Sequence, residues 1–148
     1  QDMRKPLNAT YDAIFNLFTS FGYFEADKED LLILENIKKG LKKDGFFVFD
    51  FLNARLVKKN LVSKETKIVE GICFDITREI TNGFIVKNIS FFADGKEHAY
   101  TERVKYLDEE KMIYYLNKVG FKIIHTFGDY HLNVFQPSDS NRLILVAK

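Results

Sequence analysis

Two continuous apolar runs separated by a helical repeat constrain this chain more than any other feature. Residues 11–17, "YDAIFNL", and residues 46–51, "FFVFDF", lack the apolar–polar alternation of a half-solvated strand, and each suits a parallel strand covered on both faces. Between them Leu31, Leu34, Ile37 and Leu41 recur at helical spacing. Asp27 is placed to cap that helix and Gly45 to stop it. Strand, helix and strand within this span form one right-handed βαβ unit.

After Asn53, which can cap a short helix over "ARLVKKNLV", the pattern changes. Residues 67–80, 83–93 and 97–107 alternate, and Asn82-Gly83 and Asp94-Gly95 join them. Both dipeptides accept the positive φ angles of tight hairpin turns, so a three-stranded antiparallel meander is predicted. Asp108 then caps a helix carrying Met112, Ile113, Leu116 and Val119, which ends at Gly120. Leu107 and Met112 stand where a hydrophobic staple would be. "FKIIHTF" and "NRLILVA" read as the last two strands. No repeat or linker divides the 148 residues, which predicts one α/β domain over 1–148 with an antiparallel insert at 63–107.

Composition narrows the function. The formal charge is +1 with cations spread along the chain, so neither nucleic acid nor an acidic membrane is an expected partner. A single cysteine, Cys73, excludes an internal disulfide and predicts a reducing, cytoplasmic compartment. Within its apolar strand Cys73 reads as a buried structural thiol rather than a nucleophile. His98, His125 and His131 have no metal-ligand spacing with it or with each other, so no metal is expected. His125 reads as a satisfied strand histidine.

These residues and their order resemble the C-terminal half of a class I S-adenosylmethionine-dependent methyltransferase of the small-molecule type. "QDMR" is similar to the loop after that family's third strand, and "YDAIFNLFTSFGYF" to its fourth strand and following loop. "ILENIKKGLKKDGFFVFDFLN" resembles the next helix and fifth strand, with Lys43-Asp44-Gly45 where the family has Pro-Gly-Gly. "EHAYTERVKYLDEEKMIYYLNKVGFKIIHTFGDY" and "NRLILVAK" resemble the final helix and the last two strands. The resemblance covers the whole chain. It implies a partial Rossmann-like sheet in the order 4-5-7-6, last strand antiparallel, with the insert on the acceptor side. The family's Gly-rich cofactor loop has no counterpart here, so the resemblance implies that this chain alone lacks full cofactor binding.

The resemblance also implies roles. For S-adenosylmethionine, Asp2 would accept from the adenine amino group and the Met3 backbone would approach the ring. Asn16, Leu17 and Phe18 would meet its amino acid part, at the carboxyl end of a strand where open α/β sheets bind ligands. For a small-molecule methyl acceptor, Ser20, Tyr23, Asn53, Tyr100 and Arg103 would line the wall, with Asp50 a further rim candidate. Tyr23 and His98 are the candidates for catalysis, His98 as a base. Against these stand plainer alternatives: Asp2 as a solvated terminal residue, Asn16 as a core amide, Phe21 and Tyr23 as packing, and His98 on a solvated sheet face. Period two places His98 and Tyr100 on one face and Arg103 on the other. With three strands absent, residues 11–17 would be an exposed apolar sheet edge, which predicts a homodimer or larger assembly. A non-catalytic binding or assembly module is the alternative function.

Overall fold

The computed structural model describes residues 2–148; Gln1, the first letter of "QDMR", lies outside the described residues. The chain forms two compact units, one from the segment up to Val57 together with Leu107–Lys148, the other Lys58–Tyr106.

The first unit holds a four-stranded sheet of β1 (Tyr11–Asn16), β2 (Leu41–Leu52), β7 (Ile123–Phe127) and β8 (Arg142–Ala147) in the order β1-β2-β8-β7. β1 and β2 pair in parallel, while β8 runs antiparallel to both of its neighbours. This is the expected order, with the last strand inserted antiparallel. Phe47, Phe49 and Phe51 share one face of β2 by strand periodicity, and all three are fully buried. Phe49 meets Phe21 edge-on at 5.5 Å, and Phe47 meets Phe121 at 5.6 Å. Burial of each such ring contributes about 2 kcal/mol, so this Phe face anchors the unit.

The expectation that β1 is covered on both faces does not hold. β1 is an edge among the described strands, and Phe15 is 57% exposed.

Helix α1 (Asp27–Lys39) begins one residue differently and ends earlier than its apolar repeat suggests. Ala26 is the N-cap, its N–H donating to the Glu29 carboxylate at 3.3 Å, and Asp27 is the first helical residue. Asp27, Glu29 and Asp30 then face the positive end of the helix dipole, and Lys38 and Lys39 the negative end. Gly40, not Gly45, closes the helix, at a point where an added Cβ would collide with the Leu7 side chain. Leu41 already pairs with Tyr11, whereas Ala13 pairs with Phe46, so residues 42–45 bulge out of the ladder. Lys42 bonds Asp12 across that bulge at 2.8 Å.

Helix α2 (Ala54–Lys59) is shorter than the "ARLVKKNLV" stretch. Helix α3 (Glu109–Val119) matches its reading: the Asp108 side chain accepts from the Lys111 N–H, and Gly120 takes the left-handed conformation at φ 88°. Leu107 and Met112 are both buried.

The second unit is an antiparallel sheet of four strands, not three: β3 (Lys64–Val69), β4 (Ile72–Thr81), β5 (Phe84–Ala93) and β6 (Lys96–Lys105). The missed break is Glu70-Gly71, whose φ angles of 50° and 79° match those of Asn82-Gly83 and Asp94-Gly95. A glutamate before glycine can adopt the same turn, at a steric cost that asparagine largely avoids. One face of this sheet carries Phe74, Phe91, His98 and Tyr100; the other carries a polar ladder of Thr66–Asp75 and Thr101–Asn88 hydrogen bonds. Cys73 is exposed, which corrects the expectation of a buried thiol: it lies near the end of the sheet opposite Ile68, itself largely open to solvent. Among the described residues, no helix is long and apolar enough to cross a membrane, and no cluster of His, Cys, Asp and Glu is arranged to hold a metal ion.

Candidate functional site

Parallel strands with the same polarity bring their carboxyl ends to one rim, and in the first unit that rim is built from Asn16, residues 17–20 and Asp50. Asp50 is the one carboxylate within the apolar run "FFVFDF" of β2 and is 1% exposed. A buried charge needs partners, and three separate segments supply them. Its Oδ1 accepts from Arg142 of β8 through Nε at 2.8 Å, with Nη2 also 2.8 Å away. Its Oδ2 accepts from the Phe18 N–H at 2.8 Å and from the Tyr130 hydroxyl at 3.0 Å. The backbone adds a further tie, Thr19 N–H to the Asp50 carbonyl at 3.1 Å. Thr19 Oγ1 in turn accepts from the Leu52 N–H at 3.1 Å and from Arg142 Nη2 at 3.2 Å.

This network holds the Tyr130 phenol above its ordinary pKa, first through withdrawal of the hydroxyl from water and then through its bond to Asp50; Arg142 opposes the shift. Tyr130 rides on a loop closed by Asp129, whose carboxylate accepts from the His131 and Asn133 N–H groups and from the Asn133 side chain. Those bonds, led by the Asn133 amide, hold Asp129 below the usual carboxylate range.

Beside this rim lies a pocket of ≈ 150 Å³ lined by Met3, Leu7, Ile14, Phe15, Asn16, Asn36 and Ile37. Asn16 is buried; its Nδ2 donates to Met3 Sδ at 3.5 Å, and its Oδ1 accepts from Ser20 Oγ at 3.3 Å. Asn36 Nδ2 donates to the Arg4 carbonyl at 2.9 Å, which ties the segment before β1 to α1. Asp2 accepts from the Arg4 backbone and guanidinium, and these bonds bring its pKa down to about 2. The start of the described chain is therefore pinned rather than loose.

Of the residues singled out from sequence, Asp2, Met3, Asn16, Leu17, Phe18, Ser20 and Asp50 belong to this one region. Leu17 and Phe18 are exposed there, and Tyr23 is exposed a few residues on. Phe21 is buried packing. Asn53 is a strut: its Nδ2 donates to the Pro137 and Ser140 carbonyls at 2.9 and 2.8 Å, and its Oδ1 accepts from the Leu56 N–H. His98, Tyr100 and Arg103 belong to the second unit. His98 stacks on Phe91 at 4.9 Å and Tyr100 on the same ring at 6.0 Å, while Arg103 lies 3.4 Å over the Phe84 ring on the opposite face. His125 is exposed and stacks on Phe127 at 5.4 Å.

Sequence reasoning missed Thr19, Tyr130 and Arg142. One signal was available for Arg142: it opens the apolar strand "NRLILVA", as Asp50 interrupts "FFVFDF", and two lone opposite charges in neighbouring buried strands seek one another.

No protein-family model matches this sequence, and no curated protein matches it. Solved structures do. A methyltransferase dependent on S-adenosylmethionine from Clostridium acetobutylicum superposes with a TM-score of 0.86 at 19% identity, covering 100% of this chain and 62% of that one. The fold is that of the S-adenosylmethionine-dependent methyltransferases. The CcbJ methyltransferase from Streptomyces caelestis matches over 100% of this chain and 61% of its own at 14% identity, TM-score 0.81. The sugar N-methyltransferase KedS8 from a Streptoalloteichus species matches over 99% of this chain and 60% of its own at 15% identity, TM-score 0.74. The chain thus spans about three-fifths of the methyltransferase structures it matches. In methyltransferase terms, the β1–β2 rim is the carboxyl edge of a doubly wound sheet, where such folds bind ligands.

Proposed function

We propose that this chain forms part of an enzyme that moves a methyl group from S-adenosylmethionine to a small-molecule acceptor. The observation that carries the reading is the methyltransferase fold, matched over the full length of the chain, with a built rim at the carboxyl ends of β1 and β2. KedS8 is a sugar N-methyltransferase, and by analogy the acceptor here is a small molecule rather than a macromolecule. The even charge supports the same choice.

The residues of the first unit suit the cofactor. The pocket between Met3, Asn16 and Asn36 is largely apolar with two amides, a lining that suits a flat heteroaromatic ring such as adenine, and the neighbouring Asp2 carboxylate would exchange an Arg4 contact for the ring's amino group. The sulfonium supplies an activated methyl group whose transfer is an in-line displacement with loss of charge. Such a step needs alignment more than acid–base groups. On this reading Asp2 and Met3 hold the adenine side, and Asn16, Leu17 and Phe18 the amino acid side. Ser20 and Tyr23 form the acceptor wall, with Tyr23 as the orienting hydroxyl. Asn53 contributes by fixing residues 137–140 rather than by touching the acceptor. In the second unit, taken by itself, Tyr100 and His98 share the face that would meet an acceptor, with His98 the candidate base for a protonated or hydroxylic one, while Arg103 is on the opposite face and is not counted with them. We place the protein in the cytoplasm, as a homo-oligomer.

By the resemblance, the Gly-rich loop that grips the cofactor belongs to the part of the fold this chain does not span. Calorimetric titration of S-adenosylhomocysteine tests this directly. The expected result is no saturable micromolar binding to the 148-residue chain and recovery of binding in a longer product that supplies that loop. Micromolar binding to the monomeric chain would overturn the division of the site, and no binding by the longer product would overturn methyl transfer.

A further inference from the structure

The turn over residues 17–20 has a backbone that its sequence does not favour. Phe18 and Thr19 sit consecutively in the left-handed region, with φ of 57° and 60°. That region is natural to glycine, is disfavoured for other residues and is a genuine outlier for a β-branched one. A conformation of this kind persists where surrounding contacts over-determine it.

Those contacts converge on Asp50. Its Oδ2 takes the Phe18 N–H, its carbonyl takes the Thr19 N–H, and its Oδ1 holds the Arg142 guanidinium that also reaches Thr19 Oγ1. The same Oδ2 takes the Tyr130 hydroxyl from the far side of the chain. The outcome is that two aromatic residues, Phe18 at 75% and Tyr130 at 59% exposure, are held open to solvent and referenced to one buried oxygen. A chain folding for stability alone gains nothing from holding a bare phenylalanine in a strained turn. A binding rim does, because a pre-set aromatic surface meets an apolar ligand face without ordering cost on arrival.

We propose that Asp50 is the positioning residue of this site, and that it sets Phe18 and Tyr130 as two exposed aromatic lips: the Phe18 main chain stays with the amino acid side of the cofactor, while the two rings receive the apolar face of the acceptor. The assignment of the lips to an acceptor rests on the methyl-transfer reading; the positioning by Asp50 does not.

Amide hydrogen exchange resolved by NMR on the full chain tests the positioning, with Asp50→Asn and Thr19→Val compared with the unaltered protein. Both substitutions nearly preserve shape. In each, the Phe18 and Leu52 amides are expected to exchange at least about tenfold faster, while Phe49 and Leu145 in the β2–β8 ladder keep their rates. Unchanged exchange at Phe18 and Leu52, or an equal rise at all four amides, would overturn the proposal, the second by showing general loosening instead of positioning. Should Asp50→Asn not fold, Thr19→Val decides by the same criterion. The measurement needs no ligand, so its outcome is read separately from the S-adenosylhomocysteine titration.

Discussion

Asp50 Oδ1 accepts from Arg142 Nε at 2.8 Å and faces Nη2 at the same distance, so one side of the guanidinium is spent on a single buried oxygen. Removing either partner leaves the other in a site from which water is largely withdrawn. Arg142→Ala is therefore expected to cost about 3–5 kcal/mol in urea denaturation. The paired replacement Asp50→Leu with Arg142→Leu is expected to cost less than Arg142→Ala alone, because it strands no charge. A loss below about 1 kcal/mol for Arg142→Ala would mean that the carboxylate finds other partners.

The Tyr130 phenol gives this network a signature in alkaline solution. Its pKa in the folded protein lies above the ordinary value of 10.0, so the protonated form is the one the fold favours. The associated stability is in full force below pH 10.0 and fades as pH rises through the raised folded value. In a spectrophotometric titration of phenolate, the component lost in Tyr130→Phe is expected to titrate above the ordinary range. A lost component with an ordinary or lower midpoint contradicts the hydrogen bond to Asp50.

At the sheet edge the expected behaviour is association. Phe15 is exposed on β1 and packs edge-on against Phe46 at 6.1 Å, which leaves apolar surface beside unpaired strand backbone. Light scattering is expected to show a mass that rises with concentration, and Phe15→Lys to shift it toward the monomer. A monomer at every concentration, in both proteins, would rule out pairing through this edge.

Much of the fold was legible because its signals are local. Continuous apolar runs, Asn-Gly and Asp-Gly turns and the Asp108 to Gly120 helix signals each depend on a few adjacent residues. Errors arose where two patterns overlap. Leu41 continues the helical repeat of α1 and also opens β2, and its pairing with Tyr11, distant in sequence, is what places it in the strand. Glu70-Gly71 is harder to read because glutamate is not a usual turn residue and apolar residues, Ile68, Val69, Ile72 and Cys73, flank it on both sides. The rim was half legible. Asn16 and residues 17–20 follow from strand polarity, but Tyr130 and Arg142 reach Asp50 across 80 and 92 residues of sequence, a closeness that sheet order sets and spacing does not.

The second unit enters the chain at Lys58 and leaves it at Tyr106, and these two residues meet, the Lys58 ammonium standing 5.9 Å from the Tyr106 ring centroid. A four-stranded sheet whose two ends lie side by side behaves as a cassette. It can grow, shrink or be exchanged over generations without re-threading the sheet that carries Asp50. The chain thereby separates two inheritances: a sheet whose register the Asp50 network ties down, and a sheet that can be rewritten without disturbing those ties.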